Sequence, residues 1–153
     1  MNYLGNKELL ELPKTAFLAS STIPVNMVMK SYDWASSRGE GDCVISGFSS
    51  KLEQDVLHFL LKGKCKIILV LARAMYKSIP AELQPLLNSN RLLIISTSNA
   101  TRQSKATALA RNRYICELAD EILFVGVTEH SSIYPLRQEF ALKSTFPSFT
   151  SAV

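Results

Sequence analysis

The sequence predicts an α/β domain: a doubly wound parallel sheet of about five strands with helices on both faces. Five short runs rich in β-branched and aliphatic residues recur along the chain, at residues 16–19, 43–46, 67–71, 92–95 and 122–127. Each run is continuously apolar, which is typical of strands covered on both faces, and the intervals between the runs suit helices. Right-handed crossovers then give a three-layer arrangement.

The first two predicted helices carry clear start and stop signals. Pro24 stands where the first turn of a helix tolerates proline, so a helix is predicted before the second strand. The next helix is better marked, because Ser50 and Glu53 have capping-box spacing and Gly63 follows the last apolar residues. These residues predict a well-defined second helix with one apolar face.

The later helices are predicted from weaker patterns. The segment 79–88 is expected to be short, since Pro85 would interrupt its interior. A fourth helix is predicted over Lys105–Leu118, where small and apolar residues provide a packing face. Residues 134–143 are the candidate for a fifth helix.

Length and composition suit one globular domain over residues 1–153. A chain of 153 residues can bury one substantial core but is short for two. Hydrophobic residues at 47% and charged residues at 20% are typical of globular proteins. Within this domain, residues 1–13 are expected to form an N-terminal extension and residues 144–153 a loose tail.

Signals for secretion, membrane insertion and metal binding are missing from the sequence. The first residues lack the basic start and apolar run of a secretory signal, and no later stretch approaches a membrane span. Cys43, Cys65 and Cys116 are odd in number and widely spaced, so neither a disulfide framework nor a metal site is expected. A cytoplasmic protein without membrane contact or cofactor fits best, with the cysteines as small buried residues.

Positive charge is concentrated in one part of the chain. No acidic residue stands between Glu82 and Glu117, and that window holds five cations: Arg91, Arg102, Lys105, Arg111 and Arg113. Since the net charge of the whole chain is +4, the remainder is close to neutral. This pattern indicates an anionic ligand at one place, either a nucleotide or single-stranded nucleic acid; a solvent-exposed basic helix face is the alternative.

The predicted fourth helix carries its cations at an unusual position. Arg111, Asn112 and Arg113 are expected in an early turn, whereas the helix dipole favours cations near the opposite end. An anion held jointly by these side chains and the free N–H groups of the helix start would explain the arrangement.

The expected strand order also locates a ligand site. Where the first and fourth strands of a doubly wound sheet are neighbours, the ligand lies at their carboxyl ends. One loop there contains Ser20 and Ser21, and the other, residues 96–105, contains Arg102 and Lys105. Hydroxyls, amides and cations suit phosphates or base edges, although ordinary loop chemistry explains any single serine.

The second strand ends in Ser46 and Gly47, just before the capped helix. Gly47 allows either close approach of a ligand to the backbone or a tight turn from strand to helix, and the turn is favoured.

Three segments together resemble a known family. These are CVISGFSSKLEQDVLHFLLKG, the following strand IILVLA and, above all, RNRYICELADEILFVGV. They resemble the Rossmann-like core of the DprA/Smf family of DNA-processing proteins, part of the SLOG group of nucleotide-binding domains. The resemblance covers roughly residues 14–127. It implies binding of single-stranded DNA along a basic surface, with a recombinase as a protein partner.

Carried over by position, the resemblance assigns ligand contacts to Ser46, Gly47, Arg111, Asn112 and Arg113. The chain departs from the family pattern elsewhere. The motif GSR expected after the first strand is replaced by ASS. In the SG loop, the expected arginine-glycine is replaced by Ser50 and Lys51, and the usual aspartate is Glu53. The stretch SGT expected after the last strand is not recognisable in residues 130–136.

Missing enzyme motifs favour a non-catalytic binding protein. There is no GxGxxG after a strand, no GxxxxGK[ST] and no PGGxGT, so nucleotide hydrolysis and phosphoribohydrolase activity are not expected. The alternative is a nucleotide sensor, or an enzyme that acts on a small nucleotide with Glu53 as general acid or base. The sequence leaves open whether the chain forms a homodimer.

Overall fold

The structure is a computed structural model that describes residues 1–145, and six of its segments are strands. The strands are β1 (Asn2–Gly5), β2 (Thr15–Ala19), β3 (Cys43–Ser46), β4 (Lys66–Leu71), β5 (Leu92–Ser96) and β6 (Glu121–Val125). The helices are α1 (Val25–Ser36), α2 (Lys51–Lys62), α3 (Gln84–Asn88), α4 (Lys105–Leu118) and α5 (Tyr134–Glu139). Short 3₁₀ segments occupy Lys7–Glu11, Ala81–Leu83 and Ala141–Lys143.

The six strands form one sheet in the order β1-β5-β4-β3-β2-β6, parallel except for β1. From β2 to β5 the chain advances in one direction, and right-handed crossovers keep α1, α2 and α3 on one face. The return from β5 to β6 runs the opposite way, so α4 lies on the other face. The predicted α/β sheet with helices on both faces is therefore confirmed.

The prediction that the first and fourth predicted strands are neighbours is wrong. In the structure β2 pairs with β3 on one side and with β6 on the other, whereas β5 lies three strands away. At about 4.8 Å per strand, the loops that follow β2 and β5 are separated by about 14 Å across the sheet. Both orders satisfy the crossover rule, and only long-range pairing decides between them.

Each face of the sheet packs a separate hydrophobic core. Because side chains alternate along a strand, Phe17 points to the core under α1 and α2, whereas Leu18 points to the core under α4 and α5. Both are fully buried. The ring of Phe17 stacks on Trp34 of α1 at 5.4 Å, and Leu136 of α5 closes the second core.

The N-terminal segment, predicted as an extension, contributes a strand to the sheet. β1 pairs antiparallel with β5, from Asn2 opposite Ser96 to Gly5 opposite Leu93. Leu9 in the following 3₁₀ segment is 1% exposed and belongs to the second core. All four residues of β1 are exposed, and the strand lacks the continuous apolar run that marks the buried strands in the sequence.

The boundaries of the predicted helices are largely confirmed. The capping box of Ser50 and Glu53 starts α2, and α4 has the predicted bounds. Pro85 stands in the first turn of α3, so it helps to start a short helix instead of interrupting a longer one. Ser144 bridges to Ile122 of β6, and the rest of the predicted tail, residues 146–153, lies outside the described residues.

The cysteines are buried and unpaired, as small buried residues would be. Burial raises the pKa of Cys43 and Cys116 to about 12 and that of Cys65 to about 11. Among residues 1–145, no helix is both long and apolar enough to cross a bilayer.

Candidate functional site

A crevice opens where β2 and β6 end side by side at the carboxyl edge of the sheet. The chain leaves β2 towards α1 on one face and leaves β6 towards α5 on the other, which is the condition for a ligand crevice in such a sheet. The cavity there measures about 670 Å³. Its polar lining includes Ser20, Ser21, Thr22, Thr128, Ser131 and Arg137, and Ile23 and Met27 are among its apolar lining.

Serine hydroxyls join the two loops at the base of the crevice. Ser20 Oγ and Ser131 Oγ are 2.7 Å apart, and Ser131 Oγ also accepts a hydrogen bond of 2.9 Å from the backbone N–H of Thr128. The N–H of Ser20 donates to the carbonyl of Val125 at 3.1 Å. The loop after β6 is therefore held directly against the loop after β2.

Gly126 permits this close approach of the two loops. Its φ of +67° lies in the left-handed region, and an added Cβ would stand 2.4 Å from Ile23 Cδ1. Both observations call for glycine.

Arg137 brings positive charge to the crevice. Its side chain is half-buried, its Nη1 donates to the carbonyl of Val127 at 3.4 Å, and its guanidinium lies 5.9 Å from the centre of the Tyr134 ring. Among the described residues that line the cavity, Arg137 carries the one permanent positive charge. Arg137, Thr128 and Ser131 were not predicted as site residues, because the expected strand order placed the wrong strand beside β2.

Arg111 lies inside the protein, against the turn that follows β3. It is 2% exposed, and its Nη1 donates to the carbonyl of Val70 while Nη2 donates to Ser49 Oγ, each at 3.2 Å. An added Cβ on Gly47 would lie 2.3 Å from Nη1. Gly47 is needed because the guanidinium packs on it, whereas a tight turn was the predicted reason. Burial lowers the pKa of Arg111, and the charge of Glu53 partly opposes this effect.

Glu53 stabilises the same turn by accepting hydrogen bonds from its backbone. Its Oε2 accepts from the N–H of Ala19 at 2.9 Å, and its Oε1 accepts from the N–H groups of Ser49 and Ser50 at 3.0 and 3.2 Å. The carboxylate is 5% exposed and ties the end of β2 to the start of α2. Both oxygens are thus engaged by backbone donors, which accounts for Glu53 without acid–base chemistry.

The turn itself has a strained residue. Phe48 adopts a φ of +47° and is 6% exposed, and its N–H donates to Ser46 Oγ at 3.1 Å. A non-glycine residue in this region is uncommon and persists only where its surroundings fix it. Ser46 is fully buried, so its hydroxyl stabilises the turn from within.

The expected joint anion site of Arg111, Asn112, Arg113 and the helix start does not form. Arg111 is the seventh of the 14 residues of α4, about 10 Å along the axis from the N-cap. Asn112 Oδ1 accepts from Arg111 Nε at 2.8 Å, and Arg113 pairs with Glu139 of α5. At the helix start, Ser104 and Thr107 cap each other's backbone N–H groups.

The remaining predicted cations stand elsewhere on the carboxyl edge. Arg102 and Lys105 are exposed beside the end of β5, far from the crevice. Ser20 and Ser21, in the loop after β2, line the crevice. The loops and helix starts of this edge also carry Lys51, Arg73 and Lys77, so positive charge extends from the crevice to β5.

The comparisons with known proteins agree with this architecture. The family model for DNA recombination-mediator protein A matches residues 1–134. The chain belongs to this family. The resemblance to DprA/Smf proteins is thereby confirmed, and the family match includes β1 as well as the crevice loops after β2 and β6.

Two solved members of the DprA group have the same fold. DNA processing protein A from Streptococcus pneumoniae matches with a TM-score of 0.72 and 19% identity, over 92% of this chain and 51% of that one. The Helicobacter pylori protein, whose single-stranded DNA binding mode is known, matches with a TM-score of 0.69 and 19% identity, over 91% of this chain and 67% of that one. The chain thus spans about half the length of the first protein. No curated protein matches its sequence.

Proposed function

We propose that the chain binds single-stranded DNA without catalysis, by holding phosphates along the carboxyl edge of its sheet. The observation that carries the proposal is the crevice between β2 and β6, with its hydroxyls and Arg137, in a member of the recombination-mediator family. The Helicobacter pylori relative binds single-stranded DNA, which supports the same ligand class here.

The lining of the crevice suits one nucleotide of a strand. Hydroxyls, backbone N–H groups and arginine are the usual donors to phosphate and sugar oxygens. Ile23 and Met27 offer an apolar wall to a base. A volume of about 670 Å³ lies within the range of small-molecule sites.

The proposal assigns the DNA contacts by position. Ser20, Ser21 and Arg137 contact the nucleotide in the crevice, while Arg102 and Lys105 meet phosphates beyond it. The buried residues Ser46, Gly47 and Arg111 support the turn after β3 from within. Asn112 bonds Arg111 and Arg113 pairs with Glu139, so neither enters the proposed interface.

A salt-dependent titration tests this function. Log affinity for a single strand should fall linearly with log salt, with a slope of about −0.7 per phosphate neutralised. Arg137→Gln should weaken binding and flatten the slope, whereas the matched control Arg113→Gln should leave both unchanged. No binding at low salt, or a larger effect of Arg113→Gln, would contradict the proposal.

A small-nucleotide sensor is the second candidate, favoured by the crevice volume of about 670 Å³. Mononucleotides, duplex DNA and single-stranded DNA should be titrated in parallel. Under the main proposal the single strand binds more tightly than a mononucleotide, because more phosphates are contacted. Equal affinity for a mononucleotide would favour the sensor.

We also propose a recombinase partner, a homodimer and a cytoplasmic location. The family description as a recombination mediator supports the first. The exposed outer edge of β1, with Tyr3 and Leu4 each 37% exposed, supports a contact with a second copy. The unpaired cysteines support a reducing compartment. Residues 1–153 are proposed as one domain, and light scattering with size exclusion would measure its oligomeric state.

A further inference from the structure

The loop after β4 places an arginine at the carboxyl edge, two strands from the crevice. Its backbone is fixed by the end of β5 and by the loop that follows β5. The carbonyl of Arg73 accepts from Ser96 Oγ at 2.6 Å, and the N–H of Ala74 donates to the carbonyl of Ala100 at 2.8 Å. The backbone position from which the Arg73 side chain extends is therefore well defined.

The guanidinium of Arg73, in contrast, has no acceptor. Its Nε is buried without a hydrogen-bond partner, and within residues 1–145 its side chain makes neither a hydrogen bond nor an ion pair. The group rests against the half-buried ring of Tyr76, 5.5 Å from the ring centre. A charged donor held only by a ring contact is unusual, because buried donors in native proteins nearly always have acceptors.

Arg91 shows what a structural arginine looks like in this fold. Its Nε donates to the carbonyl of Cys65 at 3.2 Å, and its Nη2 donates to Gly63 and Cys65 at 2.7 and 3.1 Å. The protein supplies these acceptors at the opposite edge of the sheet. Within the described residues it supplies none to Arg73, so this guanidinium is available to an external anion.

The position of Arg73 fits a strand that leaves the crevice. β4 lies two strands from β2, about 10 Å across the edge. A single strand running from the crevice towards Arg102 and Lys105 passes over this loop. We propose that Arg73 swings from Tyr76 to bind a second backbone phosphate of that strand, forming a phosphate subsite distinct from the crevice. This inference rests on the proposed function.

Arginine suits this task because its planar fork binds two phosphate oxygens at once. Tyr76 keeps the guanidinium near the edge without holding it by hydrogen bonds. The transfer from ring to phosphate therefore breaks no hydrogen bond inside the described part of the protein.

Oligothymidylates of increasing length, from a dinucleotide to about 16 nucleotides, test the subsite. Arg73→Gln should weaken binding of the long strands about tenfold, the effect of one lost charge-assisted hydrogen bond. It should flatten their salt slope by about 0.7, the contribution of one phosphate. Binding of the dinucleotide, which reaches only the crevice, should not change. Arg137→Gln should weaken binding at every length.

Matched variants separate the subsite from general electrostatics and from folding. Lys77→Gln removes the same charge from an exposed position in the same loop and should have a smaller effect. Arg73→Lys keeps the charge but loses the fork, so it should retain the slope and lose affinity. Thermal unfolding of Arg73→Gln should match the wild type, because no internal hydrogen bond is removed.

Three outcomes would overturn the inference. Equal affinity and slope for Arg73→Gln and wild type would show that no phosphate reaches Arg73. Equal effects of Arg73→Gln and Lys77→Gln would show that only the overall positive charge of this edge matters. If the wild type binds no single strand, the proposed function fails and this subsite fails with it, whereas the first two outcomes leave the crevice proposal intact.

Discussion

Replacing Gly47 with alanine tests whether Arg111 is the reason for the glycine. An added Cβ would lie 2.3 Å from Arg111 Nη1 and 2.4 Å from its Cζ, so the guanidinium must move. It is 2% exposed and bonded to Val70 and Ser49. The displaced charge would lose these acceptors while it remains buried.

We expect Gly47→Ala to lower the free energy of unfolding by about 3–5 kcal/mol, the range for breaking a buried charged contact. Overpacking without loss of the hydrogen bonds would cost about 1–3 kcal/mol. Equilibrium urea unfolding measures the difference. The matched control is Gly41→Ala, where an added Cβ meets nothing within 4 Å, and its effect should be close to zero.

A second background isolates the cause. Arg111→Met removes the guanidinium but keeps a flexible apolar side chain in its place. If the contact is the cause, Gly47→Ala should destabilise the Arg111→Met protein by less than about half of its effect in the wild type, because the two residues are coupled. Equal losses in both backgrounds would refute the reasoning and place the strain in the turn backbone.

Three further predictions follow from buried groups near the crevice and core. Glu53→Gln should destabilise the protein by about 2–3 kcal/mol in urea, since a charged acceptor of backbone N–H bonds is lost; an unchanged midpoint would contradict this. Gly126→Ala should cost about 1–3 kcal/mol and weaken DNA binding, because its φ is positive and its Cβ would strike the opposite loop; full binding would count against the crevice. The thiols of Cys43, Cys65 and Cys116 should resist Ellman's reagent at pH 8 in the native protein and react in denaturant, because burial keeps them protonated; rapid native reaction would be inconsistent.

Local patterns predicted most of the secondary structure of this chain. Continuously apolar runs marked β2 to β6 because these strands are buried on both faces. The capping box of α2 was visible because Ser50 and Glu53 satisfy each other's backbone donors within one turn. β1 escaped notice because an exposed edge strand needs no apolar side chains.

The site was harder to predict than the fold, because it depends on which strands are neighbours. Crossover handedness allows β2 to sit beside either β5 or β6, and the periodicity of each strand is the same in both arrangements. The wrong choice assigned Arg102 and Lys105 to the crevice and overlooked Arg137 and Ser131. The hydroxyl-containing loop just after β6 was the one available signal.

The position of α4 under the sheet gives its basic motif a structural role. The single reversal of direction after β5 carries α4 beneath β3 and β4, so Arg111 reaches the turn after β3 from inside. A positive charge held there, directly behind the half-buried hydroxyl of Ser49, can bias the edge towards anions without touching them. The motif on which the family resemblance mainly rests therefore contributes Arg111 to the turn, whereas the proposed contacts to DNA involve the exposed cations of the carboxyl edge.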